Sequence, residues 1–360
     1  MEKRTGGVTS TRAIAYAIGA AALFGVSTPL SKGLLDGTPP VLLAGLLYAG
    51  SGLGLTLWHR LTRTERRPLL PGGGWPWLLG AVAFGGVIAP VCLLVGLATT
   101  PASTSALLLN LESVFTTLIA WFAFKEHYDR RIAAGMAFIV AGSVWLSWSG
   151  GGLQLPIGSA LIALACVGWA LDNNLTQKVS EADPVRVAAL KGLVAAGVNV
   201  TLALLLGQRL PPVTPALGAL CVGLFGYGVS LVLFVLALRH LGTARTGAYF
   251  STAPFLGAVA SFLLTDEPMS GTFLGAAALM AVGVYLHLTE RHHHEHRHQP
   301  LEHEHAHEHD AHHQHAHPAG TDPREPHTHW HRHAPIAHAH PHYPDIHHRH
   351  GHDDTAETKD

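Results

Sequence analysis

The chain has 360 residues, 48% of them apolar and 13% charged, about half the charged content usual for a soluble domain. An ordinary water-soluble fold is excluded at that level, and no nucleic-acid partner is expected. The near-neutral total conceals two unlike parts: residues 1–290 carry 17 basic and 12 acidic side chains, residues 291–360 carry 6 and 12, and all histidines but His59, His127, His240 and His287 lie in the second part.

A hydrocarbon core about 30 Å thick takes roughly 20 apolar residues per helix. Ten segments meet that length, at residues 12–35, 39–59, 74–97, 101–124, 131–149, 156–178, 184–206, 213–238, 242–264 and 269–289. The first follows Arg4 and Arg12 as a signal peptide would, but no polar mature domain comes after it, so it reads as an uncleaved span. The runs are continuously apolar, whereas barrel strands alternate over about 10 residues. Cys92, Cys166 and Cys221 are isolated within apolar segments and suggest neither disulfides nor a zinc knuckle.

Basic residues in short loops give the orientation. Arg60, Arg63, Arg66, Arg67, Lys125, Arg130, Arg131, Lys178, Arg186, Arg239 and Arg245 fall at breaks on one side, while the opposite connections hold only Arg209. Both termini are therefore expected in the cytoplasm, with the chain in the inner (plasma) membrane. Tryptophans 58, 75, 77, 121, 145 and 148 fall near span ends, as interfacial anchors do.

Five spans per half makes the second half enter from the other side. A displacement of 141 residues brings the run from Ser113 to Glu126 onto that from Pro254 to Glu267, and Gly142 onto Gly283. A displacement of 145 brings Phe24-Gly25 onto Trp169-Ala170 and Ser31 onto Thr176. One glutamate-bearing loop is basic and the other acidic, as an inverted repeat requires. The expected fold is an all-α membrane protein of ten transmembrane helices in two inverted five-helix repeats, residues 12–150 and 151–290, with a cytoplasmic N-terminus at 1–11 and a disordered tail at 291–360.

The doubled five-span pattern, the aromatic-small pairs Phe24-Gly25 and Trp169-Ala170, and the run from Pro254 to Glu267 together resemble the EamA family of the drug/metabolite transporter superfamily over residues 12–289. Ser113 stands where that pattern has proline, and Phe24 where it usually has tryptophan. The resemblance implies secondary transport, commonly export, of small organic metabolites without ATP. No GxxxxGK[ST] loop is found, and no enzyme is expected, since no compact nucleophile-and-base constellation is present.

Glu112 is the leading candidate in the membrane part. At 1.5 Å per residue it lies within roughly 2 Å of the middle of its segment, and a charge there costs about 2.5 to 3.5 kcal/mol. Intramembrane carboxylates therefore usually face a cavity or a proton relay, although a hydrogen-bonded packing role is the alternative. Ser113 and Thr116 share part of its face, whereas Asn110 is about 200° away. A second cluster comprises Asp172, Asn173 and Asn174 with Thr176 and Gln177, preceded by Trp169. Glu112, Asp172, Asn173, Trp169, Ser113 and Thr116 form the expected solute or proton pathway. Lys32 and Lys191 are candidate counter-charges or snorkelling cations, and Glu126 and Glu267 read as helix-positioning residues.

The tail alternates histidine with acidic and small residues and is interrupted by prolines. It buries no core, hence the expected disorder. His292, His293, His294, His296, His298, His303, His305, His307, His309, His312, His313, His315 and His317 offer overlapping imidazole sets that suit Zn, Ni, Co or Cu. A pH-sensitive tether and a neutral low-complexity tract are the competing readings. No cofactor is required, and the expected partners are membrane lipid, a small-molecule solute, divalent metals at the tail and a second copy of the chain. A divalent-metal exporter, or a non-transporting metal sensor or store, are the alternative functions.

Overall fold

The computed structural model describes residues 6–62, 74–124, 130–147, 156–179, 183–288, 295–298, 302–307, 327–332 and 336–339. It divides into two units, Met1–Glu290 and Arg291–Asp360. The described residues of the first unit are helical: α1 (Gly6–Leu35), α2 (Pro40–Thr62), α3 (Trp75–Ala81), the π-helix π1 (Val82–Ile88), α4 (Ala89–Thr99), α5 (Ala102–Leu108), α6 (Leu111–Phe124), α7 (Arg130–Ser147), α8 (Ile157–Gln177), α9 (Pro184–Leu205), α10 (Val213–Val222), the π-helix π2 (Gly223–Val229), α11 (Ser230–Phe250), α12 (Ala253–Leu264) and α13 (Gly271–Leu288).

Six described stretches are long and apolar enough to cross a membrane: Thr11–Leu35, Pro40–Thr62, Trp75–Thr99, Ala102–Ile119, Val185–Leu205 and Val213–Ala237. Ala253–Leu264 and Gly271–Leu286 are shorter apolar helices. The outward faces carry large apolar side chains, Leu53, Leu57, Phe122, Leu205 and Leu263 each being more than half exposed. Such a surface is unfavourable in water and well matched to acyl chains. The chain is a multi-pass membrane protein.

Packing follows a paired pattern. Helix α2 lies against α9, and α7 against α13; α1 packs on α11, π2 and α12 as α8 packs on α4, π1 and α6. Small residues let backbones close in where lipid supplies no hydrophobic drive. At the α2–α9 crossing a Cβ on Gly192 would stand 2.8 Å from the Gly52 Cα, and where α1 meets α12 a Cβ on Gly257 would stand 2.7 Å from the Gly25 carbonyl.

The structure corrects two expected segments. The run at 101–124 is interrupted between Leu108 and Leu111, and α11 continues through the expected break near residue 240 to Phe250. The next helix starts at Ala253, so the two interruptions fall within about one residue of the displacement of 141 found in the sequence. Hydropathy cannot register them, because the chain stays apolar while tighter backbone bonds, Asn110 N–H to the Leu107 carbonyl and Thr252 N–H to the Tyr249 carbonyl, and side chains together hold each turn. Asn110 Nδ2 donates to the Leu107 carbonyl at 2.9 Å and Ser113 Oγ to the Asn110 carbonyl at 2.8 Å. In the second half Thr252 Oγ1 donates to the Tyr249 carbonyl at 2.6 Å, and Pro254 enters the first turn of α12.

In the second unit β1 (Glu295–His298) pairs antiparallel with β4 (Ile336–Ala339), and β2 (Glu302–His307) with β3 (His327–Arg332). Strands stand here where disorder is expected. The His-x-His alternation has the two-residue period of a strand, which composition alone does not weigh. His296, His298, His303, His305 and His307 lie on β1 and β2; His292, His293, His294, His309, His312, His313, His315 and His317 lie outside the described residues.

Candidate functional site

The site grows from a local conflict in the third apolar segment. Inside π1 and its exit, bonding runs from residue i+5 to i, as from the Ala89 N–H to the Phe84 carbonyl. The next donor in that series would be residue 90, but Pro90 has no N–H. It leaves Gly85 without its π-type partner and Gly86 without its α-type partner. Three side chains from other helices satisfy them. Tyr48 Oη donates to the Gly85 carbonyl at 2.7 Å, Trp169 Nε1 to the same oxygen at 3.1 Å, and Asn199 Nδ2 to the Gly86 carbonyl at 2.8 Å. The absence of a side chain at Gly85 is equally necessary, since a Cβ there would collide with the Asp172 carboxylate.

The carboxylates differ in their partners. Asp172 is buried and held by Lys191 Nζ at 2.5 Å, with Thr176 Oγ1 donating to it at 2.9 Å and Lys191 also reaching Thr176 at 3.1 Å. Glu112, half-buried in the first turn of α6, accepts from Asn173 Nδ2 at 2.8 Å. Among the described residues no Lys, Arg or His is ion-paired to Glu112. Asp172 and Tyr48 both lie within electrostatic reach of Glu112.

The structure therefore joins Glu112 to Asn173 across α6 and α8, and turns Trp169 onto π1. It commits Ser113 to the Asn110 carbonyl, and it buries the Thr116 hydroxyl without a partner. Asn174 bonds back to the Ala170 carbonyl at 2.8 Å and stays within its own helix. Asn110 points away toward Met280 on α13, as its angular offset requires. Lys191 is a counter-charge. Lys32 is not: its Nζ caps the end of α4, on the carbonyls of Leu97 at 2.6 Å, Ala98 at 3.1 Å and Thr100 at 3.1 Å. Glu267 accepts from the Ala102 and Ser103 amides at 2.6 and 3.0 Å, capping the first turn of α5. A cation and an anion thus clasp opposite sides of one turn, each matched to the helix end it meets. Glu126 lies outside the described residues.

Sequence reasoning missed Tyr48, Asn199 and Tyr227. The proline after Gly85-Gly86 signalled unpaired carbonyls, but nothing in the sequence said which side chains would reach them.

The EamA-like transporter family matches residues 11–148 and again residues 156–289. The chain belongs to the EamA-like transporter family. This EamA-like transporter is 28% identical to an uncharacterized transporter of Methanothermobacter thermautotrophicus over 287 residues, covering 75% of this chain and 84% of that one. It is 25% identical to a probable amino-acid metabolite efflux pump of Salmonella typhimurium, over 74% of this chain and 91% of the relative. A probable 4-amino-4-deoxy-L-arabinose-phosphoundecaprenol flippase subunit, ArnE, of Pseudomonas aeruginosa is 37% identical over 113 residues, which is 30% of this chain and 96% of the relative. One solved crystal structure superposes with a TM-score of 0.58 at 19% identity, over 77% of this chain and 96% of the other, and shares the fold.

Proposed function

We propose that this transporter is a secondary exporter of a small organic metabolite, coupled to inward proton movement, and that Glu112 is the group that alternates between proton and cargo. One observation carries the reading. An interior carboxylate has an amide and no cation beside it, next to a carboxylate that Lys191 already neutralises. A group left with that freedom can exchange its partner, whereas Asp172 is committed.

Ten spans in two inverted repeats, residues 12–150 and 151–290, complete the proposal. The family's double match, the 141-residue displacement relating π1 to π2, the two helix interruptions and the paired packing all support it. So does a relative about one repeat long. Broken helices at a repeat interface are where such carriers bind cargo. With both termini cytoplasmic, the clasp of Lys32 and Glu267 closes the outer end.

The efflux pump and flippase relatives favour an organic cargo over a metal. Among the described residues no group of three or more His, Cys, Asp or Glu is placed to hold a metal ion. The histidine-rich tail is proposed as an accessory that binds Zn, Ni, Co or Cu without delivering it to the pathway.

Proteoliposomes holding the full chain, or the chain ending at residue 290, test both parts. Imposed proton gradients should drive flux of organic solutes and not of divalent metals, and tail removal should abolish metal binding while leaving solute flux intact. Metal flux that disappears on Glu112 substitution would overturn the ranking.

A further inference from the structure

From the neighbourhood of the two carboxylates a run of aromatic rings extends through the bundle. Tyr48 packs on Tyr227 with centroids 5.6 Å apart, Tyr227 on Phe24 at 5.9 Å, Phe24 on Phe250 at 5.6 Å, and Phe250 on Phe234 at 4.9 Å. These five rings come from α2, π2, α1 and α11 and form one continuous wall. It begins at Tyr48, whose hydroxyl rests on π1 within electrostatic reach of both carboxylates. Phe24 also packs against the apolar cluster that contains Leu111 and Trp169, the neighbours of Glu112 and Asn173. Like Glu112, all five rings are half-buried, in contrast to Leu107, Leu108 and Ala106 beside them, which are closed off. The rings and the carboxylate therefore keep surface that the fold itself does not cover.

The two halves are chemically unequal at this point. Positions related by 141 residues put Ala253 opposite Glu112 and Leu231 opposite Pro90, so Glu112 and the proline-freed carbonyls have no counterpart in the second half. Of the rings, Phe24 and Tyr48 come from the first half and Tyr227, Phe234 and Phe250 from the second. A carrier with such a lopsided centre distinguishes the two ends of its cargo.

We infer that the cargo is an amphipathic organic monocation, a protonated amine whose ammonium donates to the Glu112 carboxylate that Asn173 holds in place, and whose apolar or aromatic body lies on the Tyr48–Tyr227–Phe24–Phe250 wall. Charge bookkeeping selects the cation: Lys191 cancels Asp172, so Glu112, once deprotonated, is the carboxylate with no cation paired to it among the described residues. An anionic solute would meet that charge in a poorly hydrated space and be rejected. Ring faces attract cations and bury apolar carbon at once, whereas a strongly hydrated metal ion gains little from them. This inference rests on Glu112 being the exchanging group, and it adds the class of solute.

The test uses the full chain in nanodiscs with four probes read by competition binding: phenethylammonium, 2-phenylethanol, 3-phenylpropionate and butylammonium. Phenethylammonium should bind about tenfold or more tightly than each of the others, a factor appropriate to one charge-assisted contact or one ring stack. Glu112→Gln should erase the advantage over 2-phenylethanol, with Glu112→Asp retaining part of it. Phe24→Leu and Tyr227→Leu should erase the advantage over butylammonium and keep the preference for charge. Equal binding of all four probes, tighter binding of the anion, or an intact cation preference in Glu112→Gln would overturn the inference. Should Glu112→Gln fail to fold, the four-probe series on the unsubstituted chain decides alone. Vesicle flux separates the two readings: amine binding without amine transport leaves the solute class standing and removes the exporter, while proton-driven flux of neutral or anionic solutes with no amine binding does the reverse.

Discussion

At the scale of single residues, Glu112 and Asp172 illustrate how the same side-chain type takes different work from its neighbours. Glu112→Gln keeps the hydrogen-bonding shape and removes the exchangeable charge. Proton-driven solute flux should fall about tenfold or more, on the worth of one charge-assisted contact, and what remains should lose its dependence on pH, as a vesicle assay across about pH 6 to 8 would register. Asp172→Asn and Lys191→Met each strand one charge of a pair. Breaking a fully buried pair costs about 3–5 kcal/mol, and because the two side chains retain 12% and 16% exposure the expected loss is at or below the lower bound. The double variant should melt above either single variant; additive losses would mean the two do not act as a pair. That Glu112 is an unusual residue was legible from the cost of a carboxylate in the middle of an apolar run. The choice of Asn173 as its partner was not, because that bond spans 61 positions of sequence.

Among elements, π1 and the turn between α4 and α5 matter most. Asn199→Leu leaves the Gly86 carbonyl bare and should lower stability by about 1–3 kcal/mol. Combining it with Pro90→Ala should recover part of that loss, because alanine supplies the backbone amide that proline withholds; thermal unfolding of the three proteins decides. Glu267→Ala removes the acceptor for two amides at the start of α5, and a lost N-cap costs about 1 kcal/mol. Hydrogen exchange at Ala102 and Ser103 should rise accordingly, with unchanged exchange showing the cap to be dispensable. The sequence exposed these elements unevenly. Continuous apolar runs matched α8 within a residue or so at each end, yet hid the π-helices and the interruptions before α6 and α12. A window average has no access to a carbonyl that bonds across helices rather than along one.

For the whole molecule, a membrane-embedded, helical chain follows from composition, and that it is a transporter is carried by the family match. The proposed orientation is open to a direct check: in inside-out and right-side-out vesicles, cysteines introduced at Glu65 and at the tail should label from one side and a cysteine at Arg209 from the other. Metal titration of the tail carries a pH sign. Imidazole binds metal in its neutral form, with an ordinary pKa near 6.5, so affinity should be present above that value and fall as pH drops through it. What the sequence by itself determined is what adds up residue by residue: an apolar chain divided by short polar breaks, a carboxylate in the middle of one apolar run, and a polar, histidine-rich tail. Only the tertiary structure decided that Lys191 belongs to Asp172, that Lys32 and Glu267 close on one turn, and that five rings from four elements stack into one run. Those facts depend on contacts such as Ala102 to Glu267, separated by 165 positions, and the energy of such a contact is absent from every local window of the chain.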